Sequence, residues 1–371
     1  MTPFERRTRC AQSRLVAAGA DALLLSPGHN CHYLSGARIE SSERLRLLVV
    51  PASGDPTFVL PTLDSDLRDG TWIDNIRTWD DDTGPGPVLG PLLDDIDPSH
   101  ALLADDMQVR VSIDLRRRLP ETTFGLASEV LASLRRRKDA AELDALRAAA
   151  RAADEAMRDV RALGADAVGR TEADLAAFVE ARLAAHGGEG VAFDTIVGAG
   201  PNGADPHHAS GDRPIRAGDP VVLDFGTRLD GYPSDQTRTV VFDGEPPAAF
   251  ERVHGVVREA QDAAVAAVEP GVRTGAVDRA ARSVIEAAGY GDRFVHRTGH
   301  GVGLDVHEEP YIVADGDIAL EPGMVFSVEP GVYLPDRFGV RIEDLVVVTE
   351  DGAERLNRTD RGWECGDETE R

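Results

Sequence analysis

The stretch VVLDFGTRLDGYPSDQTRTVVF, residues 221 to 242, decides how this chain is read. Two runs rich in Val, Phe and Thr flank Asp230-Gly231, a dipeptide suited to the tight turn of a β-hairpin. With the turn centred there, facing residues have numbers that sum to 461, so Asp224 lies opposite Thr237 and Asp235 stands one diagonal step away. A slip of the turn to a sum of 459 would pair the two aspartates directly. In either register both carboxylates project from the same face, because strand side chains alternate with period two. Two ionised carboxylates held this close repel, and a cation or a shared proton must offset them.

Working outward, three more metal-binding side chains stand in short motifs: His300 in TGHGVG, Glu329 in VEPG and Glu343 in RIED. Each sits beside Gly or Pro or on an apolar, strand-like run, where an unpaired charge would be costly to bury. Gly299 and Gly301 flank His300 and allow backbone to approach closely. Glu329 ends a strand-like run turned by Pro330-Gly331. Glu343 lies within GVRIEDLVVVT, read as one strand, with Arg341 two residues earlier on the same face. Four carboxylates and one imidazole suit two divalent ions. His207, His208, His296 and His307, each taken alone, are equally compatible with hydrogen-bonded structural roles.

Composition narrows the function class. The 371 residues, 42% of them apolar, can bury a substantial core, and the length favours two domains. A start of MTPFERRTRC has no apolar leader, and no run approaches the ~18 to 20 apolar residues of a membrane span. A cytoplasmic protein is therefore expected. Cys10, Cys31 and Cys365 are odd in number and far apart, which fits a reducing compartment. The net charge of -25 argues against nucleic-acid and anionic-membrane partners. Lys138 is the only lysine. Acid excess with almost no lysine suits a protein kept hydrated in a halophilic, high-salt cytosol, where screening blunts self-repulsion. High genomic GC content is a competing cause of the Arg-for-Lys bias.

Along the chain, residues 1–133 read as a small α/β domain. A helix over 4–18 precedes a buried strand at Ala22 to Leu25, followed by the strands LRLLVVP and TFVLP. Residues 80–98, rich in Asp, Gly and Pro, read as surface loop. The second domain, 134–358, opens on one long helix over 139–163. Thr171, with Asp174 three residues on, caps a second helix that ends near His186 before Gly187-Gly188. Strands VAFDTIV, PVVLDFG and TRTVVF follow, then helices over 248–268 and 274–288, then MVFSVEP, GVYL and GVRIEDLVVVT. Helices and antiparallel hairpins in blocks define an α+β class. The tail, 359–371, is polar and expected to fray.

Together FDTIVGAGPNGADPHH, VVLDFGTRLDGYPSDQTRTV, HRTGHGVGLDVHEEP, FSVEPGVY and GVRIEDLVVVTEDG resemble the pita-bread metallopeptidase family, in its Xaa-Pro aminopeptidase and Xaa-Pro dipeptidase (prolidase) branch. NCHYLSG at 30–36 resembles part of a creatinase-type N-terminal domain. The resemblance implies a pita-bread catalytic fold in which Asp224 chelates one metal, His300 with Glu329 binds the other, and Asp235 and Glu343 bridge both. It implies a metal-bridging hydroxide as nucleophile, Glu329 as proton acceptor and relay, and His307 as a donor to the tetrahedral intermediate. It places His207 near the scissile bond and His296 along the substrate pocket, with Arg341 and Tyr311 assigned to substrate binding. His208 has no counterpart. Oxygen-dominated ligation favours Mn²⁺, with Co²⁺, Fe²⁺ or Zn²⁺ as alternatives. A peptide substrate and a homodimer are expected.

Dipeptidase-type members often carry an Arg four residues after the histidine that corresponds to His307, and here that position is Tyr311. The first expectation is therefore an aminopeptidase that removes the residue before proline from longer peptides. A dipeptidase comes second. A non-peptide hydrolase or lyase on the same fold and an inactive binding module are remote, because all five ligands are present.

Overall fold

The computed structural model describes residues 1–365 and divides the chain into two compact units, Met1–Arg135 and Arg136 onward. The first unit is built on a six-stranded mixed sheet. Its order is Asn75–Trp79, Thr57–Pro61, Leu47–Pro51, Ala22–Leu25, His100–Leu103 and Thr123–Leu126. Ala22–Leu25 is fully buried because it pairs on both sides, antiparallel to Leu47–Pro51 and parallel to His100–Leu103. The first helix runs Pro3–Ala18, capped by the Thr2 side chain. Within the stretch read as loop, Gly86–Ile96 is a helix. Leu89, Leu92 and Leu93 recur at helical spacing and are buried in the sheet core. Burial of that stripe outweighs the breakers: Pro87 occupies the first turn, where a missing N–H costs nothing, and the hydrogen bond lost at Pro91 inside the helix is offset by the buried leucines.

The second unit holds two helix pairs, each on its own sheet. Ala140–Arg161 and Glu172–Ala185 start at complete capping boxes on Asp139/Glu142 and Thr171/Asp174. They share a core with a three-stranded antiparallel sheet ordered Gln236–Val240, Val221–Phe225, Ile196–Ala199. Phe250–Ala266 and Thr274–Ala287 pack over a five-stranded antiparallel sheet ordered Glu308–Ile312, Gly299–Gly301, Val325–Val328, Asp344–Val348, Ala353–Arg355. A short ribbon pairs Gly331–Leu334 with Phe338–Arg341.

Three local expectations are corrected. VAFDTIV forms strand only from Ile196, with Val191 making a single bridge to Thr227. GVRIEDLVVVT is two strands, Phe338–Arg341 and Asp344–Val348, in different sheets. The break falls at Ile342-Glu343, where the Glu343 N–H donates to the Thr237 carbonyl instead of continuing either ladder. The tail is tied down as far as it is described. Arg238 donates to the carbonyls of Thr359 and Asp360, and Val241 bridges Glu364. Residues 366–371 lie outside the described residues. Among the described residues no helix is long and apolar enough to cross a membrane.

Candidate metal centre

The hairpin has the register summing to 461. Asp224 faces Thr237, and Tyr232 faces Leu229 across the turn. Asp230 and Gly231 both take positive φ, 51° and 84°, as a type I′ turn requires. Asp224 lies in Val221–Phe225, the central strand of its sheet, and Asp235 immediately precedes Gln236–Val240. From the other sheet, His300 is the middle residue of Gly299–Gly301 and Glu329 follows Val325–Val328. Glu343 is carried between the two by its backbone bond to Thr237. Glycine at 299 is a steric necessity, because a Cβ there would lie 1.8 Å from the Ser327 carbonyl oxygen.

The five expected ligands converge. Ligand atoms of Asp235, His300 and Glu343 lie within 4.8 Å of one another. His300 Nε2 is 3.3 Å from Glu329 Oε1 and 3.7 Å from Asp235 Oδ2. Asp224 Oδ2 accepts from Arg341 at 2.6 Å, whereas its Oδ1 is buried with no hydrogen-bond partner. The His300 Nδ1–H donates to the Gly301 carbonyl at 3.3 Å, which leaves Nε2 free for a ligand.

The electrostatics describe a site short of positive charge. Burial, then the neighbouring Asp224 and Glu329 charges, push the Asp235 carboxyl well above its usual range. Burial and the nearby Asp235 do the same to Glu343. Burial lifts Glu329 to about 7, against the pull of Arg341. Burial also lowers His300 to about 3, with His307 adding to the effect, so its ring is neutral. An orphaned buried oxygen, three carboxyls that resist ionisation together and a neutral imidazole form a donor set that fits divalent cations.

Around the ligands runs a cavity of about 930 Å³ that also takes in His207, His208, His296, Arg297, His307 and Arg341. The His307 ring stands edge-on to His300, with centroids 4.0 Å apart. His207 is exposed on a loop fixed from beneath by Glu172, a fully buried carboxylate that accepts from Ala199 N–H, Asn202 and Gly211 N–H and pairs with His208 Nε2 at 2.8 Å. His208, which the motifs left out, thus anchors the loop that carries His207. His296 has both ring nitrogens engaged: Nδ1–H donates to the Arg297 carbonyl, and Nε2 accepts from Tyr333 Oη. Burial holds this ring neutral, at about 4.

Arg341 is buried, and its guanidinium donates to Asp224, Tyr333 Oη and Thr237 Oγ1. Tyr311 is 38% exposed and does not itself line the cavity; its ring lies against the guanidinium of Arg297, which does. Thr237 was missed. Its hydroxyl donates to Glu343 Oε2 at 2.6 Å and accepts from Arg341 Nε, joining ligands of the two sheets. The signal was present in the hairpin register, which already set Thr237 opposite Asp224.

A buried acidic centre between two helix-backed sheets suits a metal site, and sequence comparison says what class of protein carries it. Residues 144–350 match metallopeptidase family M24, and residues 7–137 match the creatinase/prolidase N-terminal domain. This chain belongs to metallopeptidase family M24 and is a metallopeptidase with the pita-bread fold. It is 44% identical to the probable dipeptidase PepE of Mycobacterium tuberculosis over 95% of this chain and 94% of the relative. The crystal structure of recombinant prolidase from Thermococcus sibiricus is similar with a TM-score of 0.92 and 36% identity, over 98% of this chain and 99% of that one. The X-Pro aminopeptidase of Thermotoga maritima is less alike, with a TM-score of 0.83 and 30% identity over 93% and 97%.

Proposed function

We propose that this metallopeptidase is a two-metal Xaa-Pro dipeptidase. The supporting observation for the centre is the convergence of Asp235, His300 and Glu343 within 4.8 Å, with Glu329 and the orphaned Asp224 Oδ1 beside them. The dipeptidase reading replaces the aminopeptidase expectation, because the full-length relatives with higher identity are named dipeptidase and prolidase. The catalytic domain is taken as 134–358, in a homodimeric, cytoplasmic enzyme adapted to high salt.

Asp224 would hold one ion, His300 and Glu329 the other, with Asp235 and Glu343 shared between them. When bound there, divalent ions, Mn²⁺ by preference, would supply Lewis acidity toward the scissile carbonyl and the attacking water. Arg341 orients Asp224 so that its unpartnered oxygen faces the centre. Glu329, steadied by the Ser327 hydroxyl, takes a proton from the attacking water and passes it to the leaving imide nitrogen. His307 donates to the oxyanion, a role worth ~10²- to 10³-fold in rate. Burial, with the Arg297 charge, lowers the pKa of its ring from the usual imidazole value. His207 faces the scissile bond from the exposed rim. His296 shapes the pocket with its ring, since both nitrogens are committed. An imide nitrogen carries no hydrogen and its ring fixes φ, so a small shaped pocket can select it.

The test is hydrolysis of Xaa-Pro dipeptides beside Xaa-Pro-Yaa tripeptides, with Mn²⁺ in molar salt. Preferential cleavage of the dipeptides is expected. Cleavage of tripeptides alone would restore the aminopeptidase reading, and cleavage of neither would point to a non-peptide substrate.

A further inference from the structure

Lys138 is the only lysine among 40 basic residues, and its side chain exposes no surface. The buried arginines of this chain spread their N–H groups over many acceptors. Arg238 donates to the carbonyls of Thr237, Glu343, Thr359 and Asp360 and to the Asp344 carboxylate, and Arg341 donates to Asp224, Thr237 and Tyr333. Around the Lys138 ammonium stand Glu308 Oε1 at 2.8 Å and the Arg136 carbonyl at 3.4 Å. A compact ammonium suits so small a set of acceptors, whereas the wider fork of a guanidinium would leave N–H groups buried and unpaired. The lone lysine thus marks a place where local shape overrides the arginine bias of the chain.

Both ends of the pair rest on fixed backbone. The Lys138 N–H donates to the Gly323 carbonyl, the Gly323 N–H donates to the Val348 carbonyl at the end of Asp344–Val348, and the next residue, Asp139, caps the long helix. Glu308 opens the strand Glu308–Ile312, opposite Gly301, and directly follows His307. Between Gly301 and Glu308 the chain folds back on itself. The Gly303 N–H bonds the Asp305 carbonyl, and a Cβ at Gly303 would run into the Glu308 carboxylate. Glu309 is tied as well, to Arg136. The His307 ring has no such hold of its own: among the described residues it makes no hydrogen bond, and it stands edge-on to His300. Its place is set by the backbone from which it projects.

We propose that the enclosed Lys138–Glu308 ion pair is the positioning device that holds the His307 imidazole in place beside His300. This rests on the reading of His307 as oxyanion donor and adds the residues that aim it. Side chains alternate along a strand, so anchoring Glu308 on one side directs the residue before it to the other. Lys138 acts only through Glu308 and the backbone at 307–308. Aim matters because a catalytic group misplaced by about 1 Å can lose about 100-fold in rate.

Turnover of Xaa-Pro peptides by the Mn²⁺-loaded full chain tests this with Lys138→Met, which keeps the apolar stem and removes the ammonium. kcat should fall about 10- to 100-fold, with KM nearly kept and metal stoichiometry unchanged. In a His307→Ala background the same substitution should cost nothing further in kcat, because the ring it positions is gone. Wild-type kcat in Lys138→Met would overturn the proposal. So would an equal loss with and without His307, which is what a general structural support would give. Should Lys138→Met fold poorly, Lys138→Met/Glu308→Gln removes the unpaired carboxylate and carries the same comparison. If the wild type cleaves no Xaa-Pro peptide, or His307→Ala keeps full kcat, the functional reading fails and the positioning claim is judged alone, on the Zn²⁺-loaded protein with ¹⁵N-labelled histidine. There, a His307 ring resonance that moves in Lys138→Met while that of His296 stays sustains the proposal, and any other pattern overturns it.

Discussion

The hairpin that carries Asp224 and Asp235 and the segment that carries Glu343 deliver their carboxylates to the same few ångströms by different means. In the hairpin, everything needed is local: Asp230-Gly231 sets the turn, the turn sets the register, and the register sets the shared face. Glu343 depends on pairing with residues ~100 positions away, because its strand run is interrupted for one backbone bond to Thr237. The placing of the first pair follows from neighbouring sequence, whereas Glu343 reaches the site through a backbone bond to a distant strand. Thr237 is where they join, bonded to Glu343 and Arg341 and facing Asp224.

That contrast can be broken most severely at the ligands. Asp235→Asn, from the local half, and Glu343→Gln, from the long-range half, should each lower kcat/KM by ~10³-fold or more, as each removes several kcat-determining kcal/mol of charge stabilisation. Peptide turnover under saturating Mn²⁺ measures this, and retained activity in either variant would remove that residue from the centre. Thr237→Val should cost about 10- to 100-fold in metal affinity or activity, the size found when a ligand loses its hydrogen-bonded support. No change on metal titration would mean the junction is structural only.

Legibility in the sequence followed the same division. The helix cap at Thr171, the turn at 230–231 and the glycines around His300 were readable because each is decided within a few residues. The helix at Gly86–Ile96 was misread because Gly and Pro signals are local while the burial of Leu89 and Leu93 is not. The split at Ile342-Glu343 was hidden for the same reason, and so was the bond from Thr237 to Glu343, although the register already set Thr237 opposite Asp224. The five candidate ligands were singled out through their motifs, and the fold brings their side chains to one cavity. The anchoring of the His207 loop by Glu172 and His208 was not legible, since it joins a helix N-terminus to a loop some 30 residues on.

Acid should sharpen the comparison without any substrate. Burial raises Glu329 to about 7 in the folded protein, above its unfolded value. A carboxyl raised on folding adds stability that is full below about pH 4.5 and is lost as pH rises through about 7. Metal-free wild type should therefore melt higher at pH 6 than at pH 8, relative to Glu329→Gln, by ~1 kcal/mol or about 2–4 °C. Saturating Mn²⁺ should reverse the trend, because the metal competes with those protons. A difference between wild type and variant that is flat with pH would contradict the buried, proton-sharing picture.

The smallest effect belongs to the turn alone. Gly231 holds φ of 84°, so Gly231→Ala should cost ~1–2 kcal/mol in denaturant unfolding. Metal stoichiometry should stay intact, because the register is also fixed by pairing down the strands. Loss of metal binding in this variant would mean that the turn, and not the ladder, sets the ligand face.

The central claim is that both halves build one two-ion centre. Titrating Mn²⁺ into the metal-free protein by calorimetry near pH 7.5, in the salt that keeps it folded, should give two ions bound per chain. A single ion at saturation, or full peptidase activity with none bound, would contradict it.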